Sequence, residues 1–96
     1  MAKKVPEMLR ELSSLYEERN SLYGDNYKLH GVTMQGFFPN GIRLGTVKDY
    51  NRYSIFKEIV TRLGRYAYNF ENGGHVDSLN DISVYAQMLQ ELDSEH

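Results

Sequence analysis

The chain reads as an all-α domain: three main helices with an irregular glycine-rich insert between the first and the second. Three observations predict this. Apolar residues recur at helical spacing in three separate stretches. Helix stop signals, Gly24-Asp25-Asn26 and Asn72-Gly73-Gly74, follow two of them. Five glycines between positions 24 and 45 break any longer helix there.

The first helix opens near Pro6, a residue suited to a first helical turn. Leu9, Leu12, Leu15, Tyr16, Leu22 and Tyr23 form its apolar stripe, and Glu7, Arg10, Glu11, Glu17, Glu18 and Arg19 its solvated positions. In the insert, Asn26 to His30 suits a short helical turn. Phe37-Phe38-Pro39-Asn40-Gly41-Ile42-Arg43-Leu44 puts two apolar arms around Asn-Gly, a strong hairpin signal, so a loop with a short hairpin is the expectation for 31–48. The second helix opens at Lys48-Asp49. Its core stripe is Tyr53, Phe56, Ile59, Val60, Leu63, Tyr66, Ala67 and Phe70. The opposite face carries Asn51, Ser54, Glu58, Arg62, Arg65 and Asn69. The third helix takes Asp77 or Ser78 as its cap and buries Leu79, Ile82, Tyr85, Ala86, Leu89 and Leu92; the tail from Asp93 should fray. The second and third helices make an αα-hairpin, and two chains could complete a four-helix bundle.

Composition narrows the function. Residues 1–96 make one domain. A monomer of this size buries only about 60–65% of the surface of its unfolded chain, and with no cysteine there is no disulfide to staple it. A homo-oligomer sharing a core is therefore expected. A net charge of −2 without a dense basic run argues against a general nucleic-acid binder. No apolar run reaches the roughly 18 residues of a membrane span, and the N-terminus lacks a signal-peptide core, so a cytoplasmic protein is the expectation. Eight of the twelve aromatics are tyrosine, a residue that packs with one wet edge and also stacks on bases.

Several residues could carry chemistry. Arg62 and Arg65 lie one turn apart, and guanidinium groups match phosphate oxygens bidentately. The alternative is an intrahelical Glu58–Arg62 pair, worth about 0.3–0.5 kcal/mol. Arg52 falls in the apolar sector of Phe56 and Leu63; it either faces an anionic ligand or snorkels to water at the helix start. Asp77 and Asp81 are spaced to share a helix face and, with Glu58, form the candidate set for Mg²⁺, which accepts one or two carboxylates plus phosphate oxygens. Against this, Asp77 suits a cap, and Asp81 a first-turn position favoured by the helix dipole. His75, after Gly73-Gly74, could bond a phosphate or orient Asp81, but a lone loop histidine is more often exposed, and His30 reads the same way. Tyr27 and Tyr66 are candidates to stack on a base. No nucleophile elbow, Walker loop or zinc spacing occurs.

Tyr23-Gly24-Asp25-Asn26-Tyr27, the basic stretch Lys57 to Arg65, and Asp77-Ser-Leu-Asn-Asp81-Ile-Ser-Val-Tyr85-Ala86 together resemble the small, often phage-encoded relatives of MazG. These belong to the all-α nucleoside triphosphate pyrophosphatase superfamily, among nucleotide-modification-associated proteins. The resemblance covers roughly residues 9–93, with 31–48 poorly covered. It implies an oligomeric nucleotide-binding bundle, with Lys57 among the phosphate-binding residues and Mg²⁺ in active members. Enzymes of the superfamily hold their metals with a Glu-x-x-Glu and a Glu-x-x-Asp pair. This chain departs from that pattern: Thr61 and Arg62 follow Glu58, and Ser78 stands at the Glu position preceding Asp81. Fewer carboxylates hold two metals less well. The reading is thus a phage-type binder of a phosphorylated nucleotide without efficient hydrolysis, of use in sequestering a host nucleotide immune signal. Two alternatives stand beside it: a Mg²⁺-dependent pyrophosphohydrolase or nucleotide-modification enzyme, and a protein-interaction module presenting Phe37-Phe38.

Overall fold

The computed structural model describes residues 2–24 and 26–95, apart from the side chains of residues 22, 23 and 26. Asp25 of the expected stop signal, His96 of the expected frayed tail, and the stripe side chains Leu22 and Tyr23 lie outside this description. Four helices follow one another: α1 (Val5–Tyr23), α2 (Asn26–Phe37), α3 (Val47–Tyr68) and α4 (Val76–Ser94). A single 3-10 turn, Phe70–Asn72, follows α3. No strand occurs among the described residues.

The four helices correct the expectation of three, and the Asn40-Gly41 hairpin does not form. The expected helical turn at Asn26–His30 instead continues through Gly31 and Gly36 to Phe37. A glycine inside a helix costs about 1 kcal/mol relative to alanine but does not forbid it, and neither of these two has positive φ. Phe37 and Phe38 then meet the Phe56 ring edge-on, with centroids 5.4 and 5.5 Å away, which anchors the end of α2 to α3. Between α2 and α3 the irregular chain is residues 38–46.

Thr46 starts α3 by accepting a hydrogen bond from the Asp49 amide at 3.1 Å. Asn69 ends it, its side-chain amide donating to the Arg65 carbonyl. Gly73 and Gly74 both have positive φ, and Gly74 passes under the Tyr66 ring, where a Cβ would lie 2.7 Å from Cε2. This turn brings α4 back along α3, as the hairpin predicted. The cap of α4 is His75 rather than Asp77 or Ser78. Ser78 is almost fully buried and shares a 2.6 Å hydrogen bond with His75 Nδ1. The tail also departs from expectation: α4 stays helical through Ser94, held by Arg52 on Asp93 and by Lys48 on the Glu95 carbonyl.

The α3–α4 hairpin is the body of the molecule, with α2 laid against one side of α3. Val60 alone among the described hydrophobic residues is buried. Every residue of α1 from Val5 to Arg19 is exposed. The radius of gyration is 17.0 Å, against about 12.5 Å for a compact domain of this length.

Candidate functional site

The α3 face toward α2 is a lane of small and short side chains, Thr61, Gly64 and Ala67, with Val60 beside it. Between this lane and α2 lies a cleft of about 580 Å³. Tyr27, His30 and Thr33 line it from α2, and Lys57 and Arg65 from α3, two turns apart on either side of Thr61. Three sequence candidates, Tyr27, Lys57 and Arg65, therefore share one cavity.

Two cations line the cleft, and its described lining holds no carboxylate. The Thr33 and Thr61 hydroxyls donate to the carbonyls of Leu29 and Lys57, leaving their oxygen lone pairs to accept. His30 was read from sequence as an ordinary exposed loop histidine. It is instead half-buried on α2, and its Nε2 is shut from solvent with no hydrogen-bond partner among the described residues. A buried polar nitrogen left unmade costs about 1–3 kcal/mol. Tyr27 is 65% exposed at the mouth, with Lys28 Nζ 5.7 Å from its ring centroid.

Arg62 and Arg65 part company. Arg62 turns toward α4: it ion-pairs with Glu58 one turn back, as the intrahelical alternative had it, and with Asp81 at 3.3 Å. Its guanidinium lies over the Tyr85 ring, 4.8 Å from the centroid, and the side chain is only 14% exposed. Desolvation by itself would lower the Arg62 pKa, but the hydrogen bonds that its guanidinium donates to the Glu58 and Asp81 carboxylates outweigh it and hold the group above its ordinary range. The helices thus bring together three candidates from both sides of the hairpin, but as a closed knot of charges. Glu58 and Asp81 fit Mg²⁺ only after Arg62 has left, because the guanidinium occupies the space between them. Among the described residues no group of three His, Asp or Glu side chains is arranged to hold a metal. Asp77 is exposed in the first turn of α4.

The remaining candidates sit elsewhere. Arg52 lies beside Phe56, but its head is not buried there. It is half-exposed and clamped between Asp93 at 2.6 Å and Asp49 at 3.8 Å. It lines a separate cavity of about 360 Å³ beneath the 38–46 loop, with Phe56 and Leu89 among its apolar walls. Tyr66 packs edge-on against Phe70, 6.1 Å between centroids, and over Gly74, so its ring serves the turn. His75 is engaged with Ser78. His30 is the residue that sequence reading missed. Its signal was the Tyr27, His30, Met34 spacing, which is helical, but the glycines around it concealed a helix. No described helix is long and apolar enough to cross a membrane. Compared with models of protein families, with curated proteins and with solved structures, the chain matches none.

Proposed function

We propose that this chain binds a phosphorylated nucleotide in the cleft between α2 and α3 and holds it without efficient hydrolysis. Lys57 and Arg65 engage phosphate oxygens, the Thr61 hydroxyl supplies a further polar contact, and Tyr27 stacks on the base at the mouth. The observation that carries this is a cleft that gathers Lys57, Arg65, the Thr61 hydroxyl and the exposed Tyr27 ring along one wall and mouth, with no carboxylate in its described lining. The lack of hydrolysis follows from Arg62, whose guanidinium stands where Glu58 and Asp81 would otherwise share Mg²⁺. The protein acts as a homo-oligomer in the cytoplasm. If it is phage-encoded, as the MazG-like motifs suggest, such a binder serves to sequester a nucleotide signal of the host.

Isothermal titration against a panel of mono-, tri- and cyclic nucleotides tests this reading. Binding tighter than about millimolar is expected for at least one. Lys57→Ala and Arg65→Ala should each weaken it by about 1.5–3 kcal/mol, the range for a hydrogen bond to a charged group. Asp81→Asn should leave binding in place. Absence of binding across the panel, or affinity indifferent to Lys57 and Arg65, defeats the proposal. Pyrophosphate release that depends on Mg²⁺ and Asp81 would favour the hydrolase instead.

A further inference from the structure

We infer that α1 is a homotypic pairing element, and that its apolar stripe is covered by α1 of a second copy running antiparallel. This deepens the homo-oligomer of the proposed function by naming the surface, and it rests on that part of the reading alone.

The stripe consists of Val5, Met8, Leu9, Leu12, Leu15 and Tyr16, which recur at helical spacing and are 38–61% exposed. An amphipathic helix of this kind draws its stability from packing, yet every described residue from Val5 to Arg19 is exposed. The surface left open is large enough for a partner. The chain exposes 7678 Å², against about 5,700 Å² for a folded monomer of its mass. The excess, about 2,000 Å² per chain, is spread over the whole molecule and exceeds the roughly 800 Å² per partner that a standard interface buries.

Charge identifies the occupant and its direction. Residues 3–10 carry Lys3, Lys4 and Arg10 against Glu7, a net of +2. Residues 11–19 carry Glu11, Glu17 and Glu18 against Arg19, a net of −2. This polarity opposes the helix dipole, which favours acids at the N-terminus and bases at the C-terminus. The arrangement is therefore unfavourable within one helix. A second copy laid antiparallel sets each basic half against an acidic half and opposes the two dipoles. The Lys3–Glu11 pair within the chain, 2.8 Å long and half-exposed, is weak enough to exchange for a contact across the interface. A membrane surface is the poorer occupant, because the two halves cancel and give no attraction to anionic lipid.

Sedimentation equilibrium on the full chain decides the matter, with circular dichroism to confirm that each variant remains helical. The unaltered chain should associate. Leu12→Glu should weaken association about a hundredfold, as for a central interface anchor. The Lys3→Glu/Lys4→Glu chain and the Glu17→Lys/Glu18→Lys chain should each weaken it about tenfold alone, through facing like charges. Mixed in equal amounts, these two should recover the original affinity as a heterodimer. Association unchanged in all variants would overturn the inference while leaving an oligomer formed by another face. A parallel pair would be indicated if the Lys3→Glu/Lys4→Glu chain associates normally. A chain that stays monomeric throughout defeats both this inference and the homo-oligomer. Co-sedimentation of a monomeric chain with phosphatidylserine vesicles would assign the stripe to a membrane.

Discussion

Asp49 shows how one side chain can be fastened to several neighbours at once. Its carboxylate accepts the Gly45 amide at 3.1 Å, its own amide is bonded by Thr46 Oγ1, and Arg52 stands 3.8 Å away. The Gly45 hydrogen bond is the leading cause that holds its pKa below the ordinary 3.8, and partial desolvation opposes it. A carboxylate with a lowered folded-state pKa adds stability above the unfolded-state value and loses it as pH falls through the folded one. The loop-to-α3 junction should therefore weaken as pH drops below about 3.8. Asp49→Asn should flatten that part of the acid denaturation curve, measured by helical signal against pH. Arg62 is more strongly fixed, between two carboxylates and a ring. Its intrahelical partner was legible from the i, i+4 spacing, whereas Tyr85 and Asp81 became its neighbours only through the turn at Gly73-Gly74.

At the scale of elements, α3 and α4 were legible because their stripes are long and the Asn72-Gly73-Gly74 stop divides them. The misassignments share one cause: local signals were given more weight than packing. Asn40-Gly41 is a hairpin signal only where two strands are available to pair, and Phe37 and Phe38 are instead taken up by Phe56. Asp77 and Ser78 are good capping residues by propensity, but His75 caps the helix and Ser78 is drawn under it. The cleft was legible only in part. Lys57, Arg65 and Tyr27 could be named from sequence, but their convergence required α2, which the glycines hid. Those glycines leave a simple test. A Cβ at Gly31 or Gly36 would meet nothing within 4 Å, and neither residue has positive φ. Gly31→Ala and Gly36→Ala should each raise stability by about 0.5–1 kcal/mol, read as an upward shift in thermal midpoint.

The whole molecule is open, with large apolar side chains exposed along several helices. Leu9, Leu12, Val32, Val47 and Val76 are all well exposed, and the radius of gyration exceeds the compact value by about a third. The fold class could be read from periodicity, whereas the openness could not, because a helical stripe looks the same whether its cover comes from its own chain or from another. Stability should accordingly depend on protein concentration. The thermal midpoint should rise as the chain is concentrated, since anything that binds the folded state alone stabilises it by mass action. A midpoint constant over two decades of concentration would contradict this.

The elbow at Gly24 sets the geometry of everything N-terminal to it. Its φ of +67° and the Tyr68 ring, so close that a Cβ would stand 2.6 Å from Cε2, leave room for hydrogen alone. Beyond it, α1 is a lever of 19 residues, roughly 28 Å long at 1.5 Å per residue. A tilt of only about 10° at this fulcrum would carry the far tip through nearly 5 Å, about one helical pitch. A single methyl group at position 24 would therefore be magnified into a misaligned arm, so the bare backbone there governs how far and in what direction the chain can reach.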